Sequence, residues 1–108
     1  MTVRTELRPL TPAEAKSLVD QGRAVLVDIR EMHEHARENI AGAALAPLSR
    51  IGAGEAEAAA QGKLVIFHCQ SGMRTATNAG RLAGICRSEA YVLAGGLNAW
   101  KAAGLPLK

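Results

Sequence analysis

The sequence predicts an α/β fold in which a parallel sheet lies between two layers of helices. Short apolar runs alternate along the chain with segments that carry helix signals, as in successive β-α-β units. The runs at residues 24–29 and 63–68 are too short for helices and are apolar on both faces, as buried parallel strands are. Neither an internal repeat nor a linker interrupts the alternation, so we expect a single domain over residues 1–108.

The first predicted helix spans residues 11–22, and its start has a specific signature. Thr11 is the expected N-cap and Pro12 the first helical residue, and Glu14 lies three positions after Thr11, as in a capping box. Gly22 ends the segment. The remaining predicted elements are helices at 31–40, 54–62, 75–85 and 96–104 and strands at 43–48 and 90–95.

Small residues and one tryptophan indicate how the last elements pack. The helix at 75–85 carries a face of small residues, which lets a helix lie close to a sheet. That face consists of Ala76, Ala79, Gly80 and Ala83. Gly95 and Gly96 predict a turn before the last helix, and Trp100 is expected to anchor that helix in the core.

Composition and charge argue against several classes of protein. Apolar residues make up 48% of the 108 residues, and the net charge is +3 with the arginines scattered along the chain. Scattered charge and an aromatic content of only 3% argue against nucleic-acid binding. The two cysteines do not form a disulfide framework, and neither a signal peptide nor a membrane-spanning run is recognisable. We therefore expect a cytoplasmic monomer without cofactor, bound metal, nucleic-acid partner or membrane segment.

Cys69 directly follows the predicted strand at 63–68, at the edge of the sheet where parallel α/β proteins bind ligands. The loop that follows can curl so that successive N–H groups face the sulfur, and Gly72 permits the required backbone angles. The helix expected to begin near Thr75, together with Arg74, adds positive charge. Such surroundings lower the pKa of a cysteine and favour the thiolate. At this point a buried cysteine that packs as a small apolar group is an equally good interpretation.

The length of the loop suggests what it holds. Only four residues separate Cys69 from Arg74: Gln70, Ser71, Gly72 and Met73. Cysteine-dependent phosphatases resemble this segment but place five residues there, around a tetrahedral phosphate. The smaller ring suits one additional sulfur atom on the cysteine, which is a persulfide.

Several motifs resemble those of one family, the single-domain sulfurtransferases called rhodaneses. The segment "FHCQSGMRT" resembles the active-site loop, and "LVDIREMHEH" resembles a stretch with an Asp-x-Arg-x-x-x-Glu pattern, here Asp28, Arg30 and Glu34. "NIAGAALAPL" and "LAGGLNAWKAAGLPL" resemble two further family segments, in the family's order, so that the match covers residues 7–107. Asn39 and Ala41 depart from the usual His and Pro. The resemblance implies a three-layer α/β/α fold with a mostly parallel, five-stranded central sheet.

The resemblance also implies an activity, thiosulfate sulfurtransferase. Cys69 would take the outer sulfur of thiosulfate or a related small anionic donor and pass it, as a persulfide, to cyanide or a thiol. Sulfite leaves readily, so the reaction needs no general acid. The residues that the resemblance places around the substrate are Gln70, Ser71, Gly72, Met73, Arg74, Thr75 and Arg30.

Structural roles are the alternatives for several polar residues near this loop. Arg30 is expected to pair with Glu34 and brace the loop, with direct substrate contact as the second interpretation, and Asp28 is expected to orient the backbone. His68 should face away from Cys69, because neighbouring strand residues point to opposite faces. His33 and His35 have no further clustered ligands, so we expect no zinc site there.

The second cysteine, Cys86, is expected to be structural. It lies about 16 Å from Thr75 along a helix that rises 1.5 Å per residue, whereas a disulfide needs Cα atoms within about 7 Å.

A second class of function stays open, a persulfide carrier or sulfur-sensing module. The segments "FHCQSGMRTATNA" and "AALAPLS" are similar to rhodanese modules that precede two membrane helices in bacterial inner-membrane proteins, so this chain could belong to a longer, membrane-anchored parent on the cytoplasmic side. A phosphatase or arsenate reductase is a third hypothesis, which the four-residue spacing disfavours.

Overall fold

The computed structural model describes residues 7–86 and 89–108. Helices and strands alternate over most of this length, as the sequence predicts. The strands are β1 (Arg8–Leu10), β2 (Ala24–Asp28), β3 (Ala44–Leu45), β4 (Leu64–His68) and β5 (Ala90–Leu93). The helices are α1 (Pro12–Asp20), α2 (Met32–Arg37), α3 (Ala53–Ala60), α4 (Met73–Thr77), α5 (Ala79–Gly84) and α6 (Gly96–Ala102).

The five strands form one parallel sheet in the order β1-β5-β4-β2-β3. This arrangement confirms the predicted α/β fold with a central five-stranded sheet. The middle strand β4 pairs with β2 on one side, where Asp28 lies opposite His68, and with β5 on the other. The sequence motifs alone do not locate β1, because it is a three-residue edge strand that contains Pro9, which cannot donate to a ladder.

The start of α1 has the predicted capping box. The Thr11 hydroxyl accepts a hydrogen bond from the Glu14 amide at 3.1 Å, and the Glu14 carboxylate accepts one from the Thr11 amide at 2.9 Å. Pro12 occupies the first helical position, where its missing N–H costs nothing. Gly22 follows the helix with φ of +72°, a conformation that favours glycine. The sequence therefore fixes both ends of this helix.

The sheet separates two apolar layers, one on each face. Side chains of β4 alternate between them: Val65, Phe67 and Cys69 lie in one layer, and Ile66 lies in the other. Trp100 is buried in the second layer, and its indole N–H donates to the Pro106 carbonyl at 2.9 Å. Trp100 thus anchors α6 in the core, as predicted.

The small-residue face predicted for 75–85 is confirmed for two of its four residues, since Ala83 is buried and Ala79 packs against the core. The segment forms two helices, α4 and α5, which meet at Asn78, and α4 begins at Met73. The residues of this segment that are buried are Thr75, Leu82 and Ala83, whereas Ala76 and Gly80 are exposed. Ala76 and Ala79 also line an open groove of about 340 Å³ beside Pro9.

No helix in the described part of the chain is both long and apolar enough to cross a bilayer.

Candidate active site

Cys69 follows β4 directly, at the carboxyl edge of the sheet, and is only 1% exposed. Its Sγ accepts a hydrogen bond from the Gly72 amide at 3.1 Å and lies 3.9 Å from the Thr75 hydroxyl. Burial raises the pKa of Cys69, but the amides of Thr75, Gly72 and Arg74 lower it by more. The pKa therefore lies below that of an ordinary thiol, and the loop favours a thiolate.

The loop keeps its amides on the sulfur side because its carbonyls are held on the other side. The amides of Leu97 and Asn98, in the first turn of α6, donate to the carbonyls of Cys69 and Gln70 at 2.9 and 3.0 Å. Gly96 allows this close approach, since a Cβ there would lie 2.6 Å from the Cys69 carbonyl oxygen. Gly72 closes the curl with φ of +97°.

The turn at Gly95 and Gly96 is confirmed, and both residues have positive φ. Its contribution to the site is not evident from the turn signal alone. The available clue is that the Gly-Gly pair follows β5, the strand beside β4, so both carboxyl ends meet at one edge.

Arg30 lies beneath the loop in a buried network. Asp28, which is fully buried, accepts hydrogen bonds from the Arg30 amide at 2.9 Å, from the Arg30 guanidinium at 2.9 Å and from His35 Nδ1 at 2.9 Å. Burial raises the pKa of Asp28, and the Arg30 hydrogen bonds, with a smaller contribution from the His35 hydrogen bond, lower it below its usual value. Asp28 orients the backbone after β2, as predicted.

The predicted pairing of Arg30 with Glu34 is wrong. Arg30 folds back to Asp28 because a buried guanidinium requires a buried carboxylate. Glu34 pairs with Arg74 instead: its two carboxylate oxygens accept from the two terminal guanidinium nitrogens, each at 2.8 Å. The Arg74 hydrogen bond lowers the pKa of Glu34 to about 2, and Glu34 raises the pKa of Arg74.

Gln70 bridges the loop to two elements at once. Its side-chain oxygen accepts from Arg30 at 3.0 Å, and its side-chain nitrogen donates to the Asn98 side-chain oxygen at 2.7 Å. The second terminal nitrogen of Arg30 also donates to the Glu38 carbonyl at 2.6 Å. With Arg30 only 2% exposed, these contacts favour a bracing role, and substrate contact by Arg30 or Gln70 stays a prediction.

The comparisons with known proteins agree with this geometry. A model of the family described as Rhodanese-like domain matches residues 11–103. The chain belongs to the rhodanese-like domain family. It is 36% identical over 97 residues to the uncharacterized protein slr1261 of Synechocystis, a match that covers 90% of this chain and 54% of that protein. It is 34% identical over 93 residues to a probable adenylyltransferase/sulfurtransferase, MoeZ, of Mycobacterium tuberculosis, covering 84% of this chain and 24% of MoeZ.

The structural likeness covers the same region. A thiosulfate sulfurtransferase of Pseudomonas aeruginosa superposes with a TM-score of 0.81 over 97% of this chain and 20% of that one, at 22% identity, which shows the shared fold. This rhodanese-like domain thus spans about half the length of its Synechocystis relative (54%) and about a quarter of MoeZ (24%).

His68 of the rhodanese-like domain packs on the face away from Cys69, as predicted. It is fully buried, and desolvation lowers its pKa, so the ring is neutral. Its Nδ1 lies 3.1 Å from the Cys69 carbonyl oxygen, which requires the proton on Nδ1. Nε2 has no hydrogen-bond partner among the residues that the structure describes. His68 therefore holds the Cys69 carbonyl together with Leu97, a contact that strand alternation does not reveal.

The remaining predicted site residues differ in exposure. Thr75 is buried and donates to the Gly72 carbonyl at 2.9 Å, whereas Ser71 and Met73 point outward, with Met73 73% exposed. His35 is engaged with Asp28, and His33 is exposed. Among residues 7–86 and 89–108, no cluster of three or more His, Cys, Asp or Glu side chains is arranged to hold a metal.

Cys86 lies at the other end of β4 from Cys69. It is half-buried against the Cys69 side of the core and lines a cavity of about 220 Å³ together with Lys63 and Val65. No disulfide joins the two cysteines. This placement favours the predicted structural role for Cys86.

Proposed function

We propose that this rhodanese-like domain is a sulfurtransferase that carries sulfane sulfur as a persulfide on Cys69. The observation that supports the proposal most directly is the Gly72 amide at 3.1 Å from Sγ, joined by amides of Arg74 and Thr75 that lower the pKa of Cys69. The same amides would stabilise a persulfide anion, whose charge lies one atom further out. Family membership adds to this argument, since MoeZ and the Pseudomonas neighbour carry sulfurtransferase names.

The first half-reaction requires only a nucleophile and a stable leaving group. The Cys69 thiolate attacks the outer sulfur of thiosulfate or a related donor, and a new S–S bond forms on Sγ. The donor S–S bond breaks with its electron pair on the departing sulfite, so that charge is conserved without a proton transfer. Cys69 holds one additional sulfur afterwards.

In the second half-reaction an acceptor removes that sulfur. Cyanide or a thiolate attacks the outer sulfur of the persulfide, the Sγ–S bond breaks, and its electron pair returns to Cys69. The products are thiocyanate or a new persulfide and the original thiolate. The loop amides hold the negative charge on Cys69 before and after this step, which keeps the site pre-organised.

The carboxylates near the loop argue against a phosphatase. That reaction needs a protonated carboxyl group for its alkoxide leaving group. Asp28 and Glu34 each accept hydrogen bonds from an arginine, and the pKa of each lies below its usual value, so both are ionised at neutral pH. The four-residue spacing between Cys69 and Arg74 also leaves a smaller ring than phosphatases use.

A persulfide carrier that serves another domain or protein is the second candidate. It is favoured by the greater length of the relatives, of which MoeZ joins adenylyltransferase and sulfurtransferase in one name. In that case Cys69 would load with sulfur but turn over slowly with a small acceptor such as cyanide.

Intact-mass measurement after exposure to thiosulfate tests the proposal. We expect the mass of one sulfur atom to be added and a reductant to remove it. Cys69→Ser should abolish the adduct and thiocyanate formation, and Cys86→Ser is the matched control that should retain both. An unchanged adduct in the Cys69→Ser variant would remove Cys69 from the mechanism.

Two further measurements separate the candidates. A long-lived persulfide with negligible thiocyanate turnover would indicate a carrier, and rapid turnover would indicate an enzyme. Clear Cys69-dependent hydrolysis of an aryl phosphate would instead indicate the phosphatase.

A further inference from the structure

The two arginines at the active-site loop both have carboxylate partners. Arg30 is buried and pairs with Asp28 at 2.9 Å, and its other contacts are to Gln70 and a backbone carbonyl. Arg74 forms a two-pronged pair with Glu34, with both contacts at 2.8 Å. Two positive and two negative charges therefore cancel beside Cys69.

The loop itself adds no further charge. The four residues between Cys69 and Arg74, 70–73, are all neutral. Once Cys69 is a thiolate, the group formed by Cys69, the two arginines and their two carboxylates has one net negative charge. A second negative charge on an incoming donor meets no unbalanced cation within this group, whereas the repulsion from the thiolate grows with each charge.

Two large apolar side chains are exposed beside this group, together with the polar Ser71 of the loop. Met73 is the first residue of α4 and Met32 the first residue of α2, and they are 73% and 62% exposed. The pair between Glu34 and Arg74 joins these same two helix starts. An organic substituent on the donor would pack favourably against these methionines, whereas a charged oxygen of thiosulfate would gain nothing from contact with them.

We propose that the site prefers sulfane-sulfur donors that carry a single negative charge and an organic group, namely thiosulfonates or organic persulfides, over thiosulfate. This inference rests on the proposed sulfur transfer through Cys69. The thiolate attacks the outer sulfur of the donor, that sulfur stays on Sγ, and a sulfinate or a thiolate leaves with the bonding electrons. The Arg74–Glu34 pair sets the preference by balancing the charge that a dianion would require.

The experiment compares three donors by intact-mass measurement of samples quenched at successive times, which gives the fraction of Cys69 that carries an added sulfur. Methanethiosulfonate and thiosulfate differ by a methyl group in place of a charged oxygen, and 2-mercaptoethanol persulfide represents the organic persulfides. Rates of Cys69 sulfur loading are measured at one pH and low ionic strength for each donor. The quantity of interest is the ratio of the thiosulfate rate to the methanethiosulfonate rate, because any general change in thiolate reactivity cancels in it.

Glu34→Gln is the decisive variant. It removes one negative charge but keeps an oxygen that can accept from Arg74 and from the Glu31 amide, which Glu34 now caps at 3.0 Å. We expect the ratio to rise by about tenfold, because Arg74 becomes an unbalanced cation. The double variant Glu34→Gln, Arg74→Gln restores neutrality, so its ratio should return to the wild-type value.

Asp20→Asn is the matched control, since Asp20 forms an exposed pair with Lys16 on α1 and the same charge is removed there. Its ratio should stay within about twofold of wild type, because Asp20 is exposed to solvent and comes shortly before the start of β2, at the opposite edge of the sheet from Cys69. A ratio that is unchanged or lower in Glu34→Gln would overturn the inference, since Glu34 would then merely position Arg74 for the dianion.

The donor panel also separates the two kinds of donor and the two levels of proposal. Faster loading by the persulfide than by methanethiosulfonate would assign the preference to persulfides, and the reverse order to thiosulfonates. Wild-type loading that is fastest with thiosulfate, or a ratio that does not respond to Glu34→Gln, would refute only the donor preference. The absence of a Cys69 adduct with all three donors would refute the proposed sulfur transfer itself.

Discussion

The two cysteines lie toward opposite ends of one strand and against the same side of the core, yet their surroundings differ. Cys69 follows the last residue of β4 and receives a backbone N–H at 3.1 Å. Cys86 lines a cavity beside the start of β4, with Val65 and Ile85 among its apolar walls. Burial alone would raise the pKa of a thiol, so the loop amides are what distinguish Cys69. The reactivity of Cys69 therefore depends on backbone N–H groups that point at its sulfur, more than on its being a cysteine.

The largest loss of Cys69 reactivity is expected from a substitution that moves the loop and leaves the cysteine itself unchanged. Gly96→Ala places a Cβ 2.6 Å from the Cys69 carbonyl and has φ of +59°. We expect a loss of about 3 kcal/mol in the free energy of unfolding and about a hundredfold loss of sulfur-transfer rate, because a displacement near 1 Å misaligns the amides. Urea denaturation and thiocyanate assays measure the two effects.

Gly104→Ala is the control for backbone strain alone. Its φ is +72°, but nothing lies within 4 Å of the added Cβ. We expect about 1 kcal/mol of destabilisation with the transfer rate retained. Equal loss of rate in both variants would show that general destabilisation, not the position of the Cys69 carbonyl, controls the chemistry.

A pH profile of alkylation sharpens the comparison between the thiols. Because the pKa of Cys69 is lowered, its thiolate should persist at pH values below the ordinary cysteine pKa of about 8.5. We expect the iodoacetamide rate at Cys69, followed by peptide mass in the Cys86→Ser variant, to fall only below that pH. A midpoint at or above about 8.5 would contradict the role of the amides.

The smallest expected effect concerns His68, which holds the same carbonyl from the opposite face. Its folded pKa is lowered, so the unfolded chain binds more protons between that value and about 6.5, and stability falls as the pH drops below about 6.5. His68→Leu should flatten this part of the curve and cost about 1 kcal/mol at pH 7 through one lost hydrogen bond. Thermal unfolding from pH 5 to 8 tests this prediction. If the dependence of stability on pH were the same in His68→Leu, His68 would not be the group responsible for it.

The parts of the structure that depend on local sequence were predictable. The capping box of α1, the buried strands β2 and β4, the position of Cys69 and the turn at Gly95 are each encoded within a few neighbouring residues. The features that were mispredicted or not anticipated depend on contacts between distant segments. Arg74 reaches Glu34 across 40 residues, and Arg30 reaches Gln70 across 40 residues.

Charge pairing in particular cannot be decided from spacing. Glu34 lies four residues after Arg30, which makes that pair a natural expectation, but the burial of Asp28 takes Arg30 away from it. The outward turn of Ala76 has a similar origin, because its neighbour Thr75 takes the buried position of α4 beside Cys69.

The contacts from α6 to the Cys69 and Gln70 carbonyls have a consequence for biosynthesis. Residues 95–98 leave the ribosome after Cys69, so the nascent chain carries Cys69 for a time without the helix that aligns its loop. During that interval the cysteine should behave as an ordinary thiol. Cys69 therefore gains its enhanced reactivity only when α6 packs against the loop, and an incomplete nascent chain is protected from premature reaction at this residue.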